Sequence, residues 1–336
     1  MNPISNFVKR LDTIDVSRQF MSDYCRVSLN RTLAASEYYV EIDHNSLEKC
    51  LELASLSPEE IVIVDYGGGH GLLSAYAKYL GFGRVVYVDI NPEAVRMAEQ
   101  VFEIIGFKPD EIITGDVSRL IEWCHISDVT PNALVSIDVI EHIYVLDDFF
   151  GALHSISPKM KMVFTTASTP YNSRVVRNLH RSMQADELGT TTRKGFWQKR
   201  RDYIQSEWSD MSERELDYWA DNTRGLIYDD VKRAVESQSP NLLCDDYNTC
   251  DPVTGSWTER ILPEEDYRQI LMPYGWSLDV KPGHYNVHRK GLKAIASRRN
   301  NKVIALSPTN SPRGFRQRRR YKRALSIAPF IYLIVS

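Results

Sequence analysis

Short apolar runs alternate with helix-like segments through the middle of the chain. The first run, at 61–66, is almost wholly apolar and ends in glycines, which is typical of a strand buried on both faces of a parallel sheet. Four more apolar runs follow, each separated from the next by apolar residues at helical spacing. The pattern predicts five parallel strands with helices on both faces. The later runs are at 84–91, 111–116, 132–142 and 159–169.

The segments on either side of this alternation have a different character. Apolar residues at helical spacing predict helices within residues 1–60. Residues 172–256 are charged and rich in tryptophan, and they predict a helical insertion between the fifth and sixth strands. Ser212 and Glu215 fit a capping box at the start of one of its helices. The segment 257–336 predicts a helix, a sixth strand, a basic loop and a seventh strand.

The chain is therefore predicted to have three parts. They are an N-terminal helical cap at 1–58, an α/β domain formed by 59–171 and 257–336, and the insertion at 172–256. The apolar C-terminal stretch at 326–336 is about half the length that spans a bilayer. Its Ile, Tyr and Val content favours a strand, and a tail anchor is the alternative.

Cysteine usage and charge narrow the classes of protein. The five cysteines form no CxxC pair, so we expect neither a zinc site nor a disulfide framework, and a reducing cytoplasm fits. No apolar signal-peptide core stands near the N-terminus. The formal net charge of −3 hides an asymmetry, because residues 281–336 hold fourteen of the 41 Lys and Arg residues and no Asp or Glu. The basic segment 281–323 could contact an anionic, phosphate-bearing substrate or surface, and a solvated loop is the alternative.

A glycine-rich turn follows the first predicted strand and opens a helix, which is the context of a nucleotide-binding loop. Gly67, Gly69 and Gly71 allow backbone torsions and close approaches that a Cβ would block. A dinucleotide fingerprint would have a glycine where Leu72 stands, and no Gly-Lys-Ser/Thr string follows. Both phosphate-binding loops are therefore disfavoured, although a dehydrogenase remains an alternative.

The string Asp65-x-Gly67-x-Gly69-x-Gly71 resembles the first motif of the class I S-adenosylmethionine-dependent methyltransferases. Such a loop suits a cofactor without phosphate, because the carboxylate of Asp65 favours a nearby ammonium or sulfonium charge. Asp89 ends the second strand, where a carboxylate can accept both hydroxyls of a ribose. A dehydrogenase would use the same position, and a helix cap is the structural alternative for Asp89.

The ends of two further strands also resemble motifs of these methyltransferases. Asp116 ends the third strand, where the resemblance implies a hydrogen bond to the adenine amino group. Val117 and Ile90 are expected to supply apolar contacts to the adenine faces. The fourth strand ends in SIDVIEHI (136–143), which includes Asp138 as a further expected cofactor contact. This string is similar to one in small-molecule methyltransferases, including the quinone-biosynthesis O-methyltransferases.

The resemblance covers residues 60–170 most strongly and implies a fold and a cofactor. The fold is a doubly wound, seven-stranded Rossmann-like sheet with strand order 3-2-1-4-5-7-6 and an antiparallel last strand. The cofactor is S-adenosylmethionine, and we expect no metal. His142 is the leading candidate for the catalytic base and Glu141 the second. Alternatively, His142 only positions the acceptor, or Asp138, Glu141 and His142 hold a magnesium-like ion.

The class of methyl acceptor is narrowed by the motifs that the sequence lacks. Residues 138–141 do not match the Asn/Asp-Pro-Pro-Tyr/Phe string of methyltransferases that act on adenine or glutamine, and they contain no Pro-Cys nucleophile. We therefore expect O-methylation of a small molecule or a glycan held by the insertion. The alternatives are an RNA or protein methyltransferase recruited by the basic segment, and a non-catalytic S-adenosylmethionine-binding protein.

Overall fold

Seven strands form one sheet in the computed structural model of the chain. In chain order they are β1 (Val62–Tyr66), β2 (Arg84–Asp89), β3 (Glu111–Thr114), β4 (Ala133–Ile137), β5 (Lys161–Thr166), β6 (Leu278–Pro282) and β7 (Ile331–Val335). Their order across the sheet is β3-β2-β1-β4-β5-β7-β6. The first five strands run parallel, and β7 is antiparallel to both neighbours. The predicted doubly wound α/β fold is confirmed, including its strand order.

The structure describes residues 2–18, 22–241, 243, 245, 247–287, 291–307 and 315–336. Within these residues it contains fourteen α-helices, and three of them precede the sheet as predicted. The helices are α1 (Pro3–Leu11), α2 (Asp23–Leu33), α3 (Ser36–Ala54), α4 (Leu72–Tyr79), α5 (Pro92–Ile105), α6 (Val117–Ser127), α7 (Leu146–Ile156), α8 (Ser173–Leu188), α9 (Phe196–Glu207), α10 (Glu213–Asn222), α11 (Tyr228–Glu236), α12 (Glu264–Leu271), α13 (Leu292–Ala305) and α14 (Phe315–Ile327).

The C-terminal apolar stretch lies inside the sheet as β7. All five of its residues are buried, and Leu333 pairs with Phe164 on β5 and with Val280 on β6. The strand interpretation of this stretch is therefore confirmed over the tail anchor. Among the described residues, no helix combines the length and apolar character needed to cross a membrane.

The chain divides into two compact units. The sheet unit comprises Met1–Val139, Asp147–Thr166 and Glu265–Ser336, and the insertion unit comprises Ile140–Leu146 and Ala167–Glu264. These bounds differ from the predicted cap at 1–58 and insertion at 172–256.

The N-terminal helices belong to the sheet unit because α3 has no separate core. It packs against β4, β5 and α4. Leu47 and Cys50 on α3 are fully buried, and Cys50 Sγ lies 3.7 Å from the carbonyl oxygen of Leu134 on β4. The same contacts that order α3 therefore also complete one face of the sheet.

The insertion unit has a hydrophobic core of its own. Ile204 on α9, Leu216 and Trp219 on α10, and Val231 on α11 pack together with little exposure. Trp219 thus contributes to packing of this core. The capping box at the start of α10 is confirmed, with both the Ser212 and the Glu215 hydrogen bonds present.

A buried ion pair joins three parts of the insertion unit. Arg200 on α9 is fully buried and donates two hydrogen bonds to the carbonyl oxygen of Ala220, from Nε at 3.1 Å and Nη2 at 3.0 Å. Its guanidinium also pairs with Glu187 on α8. Thr249 Oγ1 donates to the same carboxylate at 2.6 Å. Each charge is therefore compensated, as burial requires.

The prediction of a basic loop between the last two strands is wrong. Residues 292–305 and 315–327 form α13 and α14. Arg, Lys, Gln and Ala are strong helix formers, and buried Ala294 and Leu325 give each helix an inner face. Tyr321 Oη also donates to the carbonyl oxygen of Val280 at 2.7 Å. The remainder of the predicted loop, 288–290 and 308–314, lies outside the described residues.

Replacing Glu187 by Gln should destabilise the insertion unit by about 3 kcal/mol, because the buried guanidinium of Arg200 loses its counter-charge. Urea unfolding followed by tryptophan fluorescence measures this loss. The matched control is Glu213→Gln, whose carboxylate pairs with Arg201 while its side chain is 77% exposed, and it should leave the midpoint nearly unchanged. Equal midpoints for the two variants would show that the buried pair is not needed.

Candidate functional site

The predicted cofactor residues lie at the carboxyl ends of neighbouring parallel strands. β1 ends at Tyr66, immediately before the glycine loop (residues 67–71), and β2 ends at Asp89. Asp89 is in register with Thr114, the last residue of β3. The strand order reverses between β1 and β4, and open α/β sheets bind ligands in the crevice outside the strand ends at such a point. The glycine loop therefore stands where this fold builds a binding site.

Gly67 and Gly71 of the glycine loop cannot be replaced by larger residues for steric reasons. Gly67 and Gly71 have φ angles of +73° and +78°, which other residues rarely adopt. A Cβ on Gly67 would lie 2.4 Å from a methyl carbon of Val139, and one on Gly71 would lie 2.5 Å from the ring of Phe102. The motif spacing thus reflects close packing of the loop as well as access for a ligand.

The side chains of β2 hold the loop through Gly69. Asp89 Oδ2 accepts a hydrogen bond from the Gly69 N–H at 2.8 Å, and Oδ1 accepts from the Asn91 N–H at 2.8 Å. Tyr87 Oη donates to the carbonyl oxygen of Gly69 at 2.7 Å. Burial raises the pKa of Asp89, and its two hydrogen bonds partly offset this effect. Each carboxylate oxygen keeps a second lone pair, so Asp89 can hold the loop and still accept ribose hydroxyls.

Asp65 is buried at the end of β1 and anchors the start of α4. Its Oδ2 accepts hydrogen bonds from the Ser74 N–H at 3.0 Å and from Ser74 Oγ at 2.6 Å. Burial raises the pKa of Asp65 to about 7, while the bonds from Ser74 lower it and the charge of Asp89 raises it. Without a bound cation, this carboxyl group is therefore partly protonated near neutral pH.

A third buried carboxyl group lies near Asp65. Asp43 on α3 is 7% exposed, and burial raises its pKa well above the usual value, with a further contribution from the charge of Asp65. Together with Asp89 these groups concentrate acidic side chains beside the loop. A bound ammonium or sulfonium would favour their ionised forms. This side of the site therefore fits a cationic ligand.

The glycine loop is also tied to α2 through His70. In the structure, His70 Nε2 lies 3.0 Å from Oγ1 of buried Thr32, so the imidazole joins the loop to α2. Burial lowers the pKa of His70 to about 4, and it is therefore neutral at physiological pH. A cavity of about 580 Å³ elsewhere in the sheet unit is lined by residues within 11–17 and 26–36 and by none of the predicted cofactor residues.

The residues expected to contact adenine are more exposed than the acidic residues beside the loop. Ile90 is 72% exposed directly after β2, which leaves an apolar side chain available to a ligand. Asp116 caps α6, because its Oδ1 accepts from the Ser118 N–H at 3.0 Å, and Val117 is half-buried at the first helical position. Asp138 follows β4 with a φ angle of +52°. The adenine contacts of these residues stay predictions.

The two candidate bases lie in the insertion unit, whereas the predicted cofactor residues lie in the sheet unit. Both occupy the short 3₁₀ turn Ile140–His142. His142 Nδ1 lies 2.7 Å from the carbonyl oxygen of Trp257. Since a carbonyl only accepts, Nδ1 carries the hydrogen and Nε2 carries the lone pair of the neutral ring. Glu141 is buried, and its carbonyl oxygen accepts from the Arg260 N–H at 3.2 Å.

Metal-ligating side chains are scattered in the described part of the chain. No three His, Cys, Asp or Glu side chains there are grouped so that they could hold a metal ion. The four cysteines that the structure describes are buried and free, and Cys244 lies outside the described residues.

Several residues of the site escape prediction from sequence. Asp43, Ser74 and Tyr87 stand at ordinary helix and strand positions, and no spacing marks them. Tyr87 offers the one weak signal, because a tyrosine in a strand buried on both faces needs a partner for its hydroxyl.

Comparison with known proteins identifies the family. The family model described as a methyltransferase domain matches residues 39–220, which is more than half of the chain. The chain therefore belongs to this family, whose members are class I S-adenosylmethionine-dependent methyltransferases with S-adenosylmethionine as cofactor. The resemblance stated from the motifs is confirmed at this level.

Individual relatives are more distant. The ribosomal protein L11 methyltransferase of Paraburkholderia phytofirmans is 38% identical over 80 residues, which are 22% of this chain and 26% of that protein. The chain thus matches about a quarter of the length of this curated relative. A Listeria monocytogenes protein assigned as an S-adenosylmethionine-dependent methyltransferase is 14% identical, with 85% of this chain and 96% of that one covered and a TM-score of 0.37.

A second solved structure is similarly distant. The ribosomal protein L11 methylase of Lactobacillus delbrueckii subsp. bulgaricus is 18% identical, with 43% of this chain and 69% of that one covered and a TM-score of 0.28. Because both scores are low, the fold rests on the strand order and register of this chain itself.

The raised pKa of Asp65 makes a prediction about stability. The folded protein binds this proton more tightly than the unfolded chain, whose aspartate has the usual value of 3.8. The contribution of Asp65 to the free energy of unfolding is therefore present below about pH 4 and is lost as pH rises towards 7. Asp65→Asn keeps an oxygen to accept from Ser74 and removes the titration.

The stability of Asp65→Asn relative to the unaltered protein should rise by roughly 2–4 kcal/mol between pH 4 and pH 8. Urea unfolding of the cofactor-free protein across this range measures the difference. Asp116→Asn, which changes an exposed carboxylate at the same sheet edge, is the control. A difference that stays constant with pH would contradict the buried, partly protonated state of Asp65.

Proposed function

We propose that this chain transfers the methyl group of S-adenosylmethionine to a hydroxyl group of a small molecule or saccharide. Family membership and the acidic glycine-loop site support the donor. The observation that carries the choice of acceptor is the hydrogen bond from His142 Nδ1 to the carbonyl oxygen of Trp257. A hydroxyl acceptor needs a general base, and this bond leaves His142 Nε2 able to accept a proton.

The donor side of the reaction is assigned to the sheet unit. When bound, S-adenosylmethionine supplies a methyl group on a sulfonium, and in-line displacement leaves a neutral thioether. Asp65, assisted by Asp43, favours the positive charge of the donor. Asp89 accepts the ribose hydroxyls while it holds Gly69.

The remaining assignments of the donor side concern the adenine. Asp116 accepts from its amino group, and Ile90 and Val117 contact its faces. Asp138 contacts the cofactor from the end of β4. These roles extend the family motif to the residues that stand at its positions here.

The acceptor side is assigned to the insertion unit. His142 Nε2 takes the hydroxyl proton as the oxygen attacks the methyl carbon, and the imidazolium that forms keeps its hydrogen bond to Trp257. That carbonyl stabilises the charged ring and fixes its orientation. Glu141 is the second candidate for the base. A small-molecule or glycan acceptor would be held by the same unit.

A second candidate is methylation of a protein or an RNA. The curated relative from Paraburkholderia phytofirmans is named for action on ribosomal protein L11. The basic segment 281–323 could recruit an anionic, phosphate-bearing partner, since its described part forms α13 and α14 with many exposed Lys and Arg side chains. A steep fall of RNA affinity with salt would favour this candidate.

His142→Gln should lower the rate of methyl transfer about 100-fold or more, because glutamine cannot accept the proton of the hydroxyl. The measurement is transfer of labelled methyl groups to a panel of phenols, saccharides, ribosomal protein L11 and RNA, with mass spectrometry of the product. Binding of S-adenosylhomocysteine, measured in parallel by calorimetry, should not change. His125→Gln, at an exposed histidine on α6, is the matched control.

Three results would contradict the proposed function. Methylation of ribosomal protein L11 or RNA without any hydroxyl product would favour the second candidate. Unchanged transfer to a hydroxyl in His142→Gln and Glu141→Gln would remove the assigned bases. Tighter binding of NADH than of S-adenosylhomocysteine would favour a dehydrogenase.

A further inference from the structure

Two basic helices, α13 and α14, stand near the end of the sheet unit and take no part in the proposed methyl transfer. They belong to the segment 281–336, which holds fourteen Lys and Arg residues and no Asp or Glu, so no acid of the segment can neutralise their charge. Every Lys and Arg side chain on the two helices is exposed. Their outer surface is therefore strongly positive, although the whole chain has a formal net charge of −3.

Both helices are fixed to the chain that follows β6. The backbone N–H of Tyr285 donates to Asn301 Oδ1 on α13 at 2.7 Å, and the carbonyl oxygen of Tyr285 accepts from Asn301 Nδ2 at 2.9 Å. Tyr285 Oη donates to the carbonyl oxygen of Ile327, the last residue of α14, at 2.6 Å. With the bond from Tyr321 to β6, these contacts hold the inner faces of the helices and leave the outer faces exposed.

Large apolar side chains stand on the outer face of α13. Leu292, Ile295 and Leu306 are 84%, 63% and 63% exposed, and Leu306 follows the last residue of the helix with helical torsions. They share one stripe with Arg299 and Lys302, because these five positions recur every three or four residues. A stripe that combines exposed apolar and basic side chains is typical of a helix that lies in a membrane interface.

The mixture of charge and apolar surface on this stripe distinguishes between possible partners. A nucleic acid would engage the basic side chains, but its interfaces with proteins are polar, and the Leu and Ile side chains offer no ring on which a base could stack. A second copy of the same face would bring like charges together, which disfavours association. A bilayer with anionic lipids accommodates both kinds of side chain, since phosphate groups attract the cations and the boundary below them accepts apolar groups.

We propose that the outer face of α13 and α14 binds the surface of a bilayer that contains anionic phospholipids. Arg299 and Lys302, together with the exposed basic side chains of α14, contact the lipid phosphates. Leu292, Ile295 and Leu306 enter the boundary between the headgroups and the acyl chains. This binding is peripheral, and it goes beyond the proposed function without depending on it.

Sedimentation of the full-length protein with lipid vesicles tests this surface. One set of vesicles contains phosphatidylcholine alone, and the other contains an equal mixture of phosphatidylcholine and phosphatidylserine. We expect binding to the mixed vesicles and little binding to the neutral ones. Added salt should weaken the binding, because it screens the attraction between the helices and the anionic headgroups. Binding to RNA is measured in parallel.

A charge variant tests the electrostatic part of the proposal. Arg299→Gln combined with Lys302→Gln should weaken binding to the mixed vesicles about 30-fold, because each basic side chain near an anionic surface contributes about fivefold. The matched control is Arg177→Gln combined with Arg181→Gln, which removes the same charge at two exposed arginines on α8. This control should bind the vesicles as the unaltered protein does.

An apolar variant distinguishes a bilayer from a nucleic acid. Ile295→Gln should weaken vesicle binding about tenfold without any change of charge, because an isoleucine side chain no longer leaves water. Ile126→Gln, at a side chain that is 79% exposed on α6, is the matched control and should have no effect. Thermal unfolding verifies that each variant is folded.

The outcomes decide between a bilayer and the other partners. Weaker vesicle binding in the charge variant and in Ile295→Gln, with both controls unchanged, supports the proposal. Equal binding to neutral and mixed vesicles, or vesicle binding that Ile295→Gln leaves unchanged, would overturn it. Equal losses in the charge variant and its control would show attraction by net charge alone. RNA binding tighter than vesicle binding, and insensitive to Ile295→Gln, would assign the face to a nucleic acid instead.

Discussion

Two buried carboxylates at the ends of adjacent strands hold the loop on which the cofactor site depends. Asp65 fixes the start of α4 through Ser74, and Asp89 fixes Gly69 from the neighbouring strand. Burial raises the pKa of both, and Asp43 adds a third acidic group from α3. Without a cation these groups are poorly solvated, which disfavours their ionised forms. A bound ammonium or sulfonium relieves that penalty, so the interactions that shape the loop also select its ligand.

The insertion unit also contains a buried charge that needs compensation. The buried guanidinium of Arg200 is fully compensated by Glu187 and the carbonyl oxygen of Ala220, and this joins α8, α9 and the end of α10. The compensated pair stabilises the unit.

Some of the fold and site could be predicted because the signals are local. The apolar run at 61–66 and the glycines after it predict a central strand and a tight loop, and strand ends at Asp89 and Asp116 follow from the same alternation. The helices at 292–305 and 315–327 escape prediction because a run of basic residues is also typical of a solvated loop. Such residues favour helix once a few apolar side chains can be buried on one face.

The rest of the site depends on contacts between distant parts of the chain. Asp43 faces Asp65 only because α3 packs on the sheet, and no spacing in the sequence reports that contact. The tautomer of His142 is set by the carbonyl oxygen of Trp257, 115 residues further along the chain. Unit boundaries are equally non-local, since they depend on which helices share a core.

The central claim is that buried carboxyl groups beside the glycine loop receive the positive charge of S-adenosylmethionine. Calorimetric titration of the protein with S-adenosylmethionine, in buffers of different ionisation enthalpy, tests it most directly. Binding should release protons, and should release more at pH 6 than at pH 8, because the cation shifts Asp65 from its protonated to its ionised form. Absence of any heat of association, or binding accompanied by proton uptake at pH 6, would contradict the account.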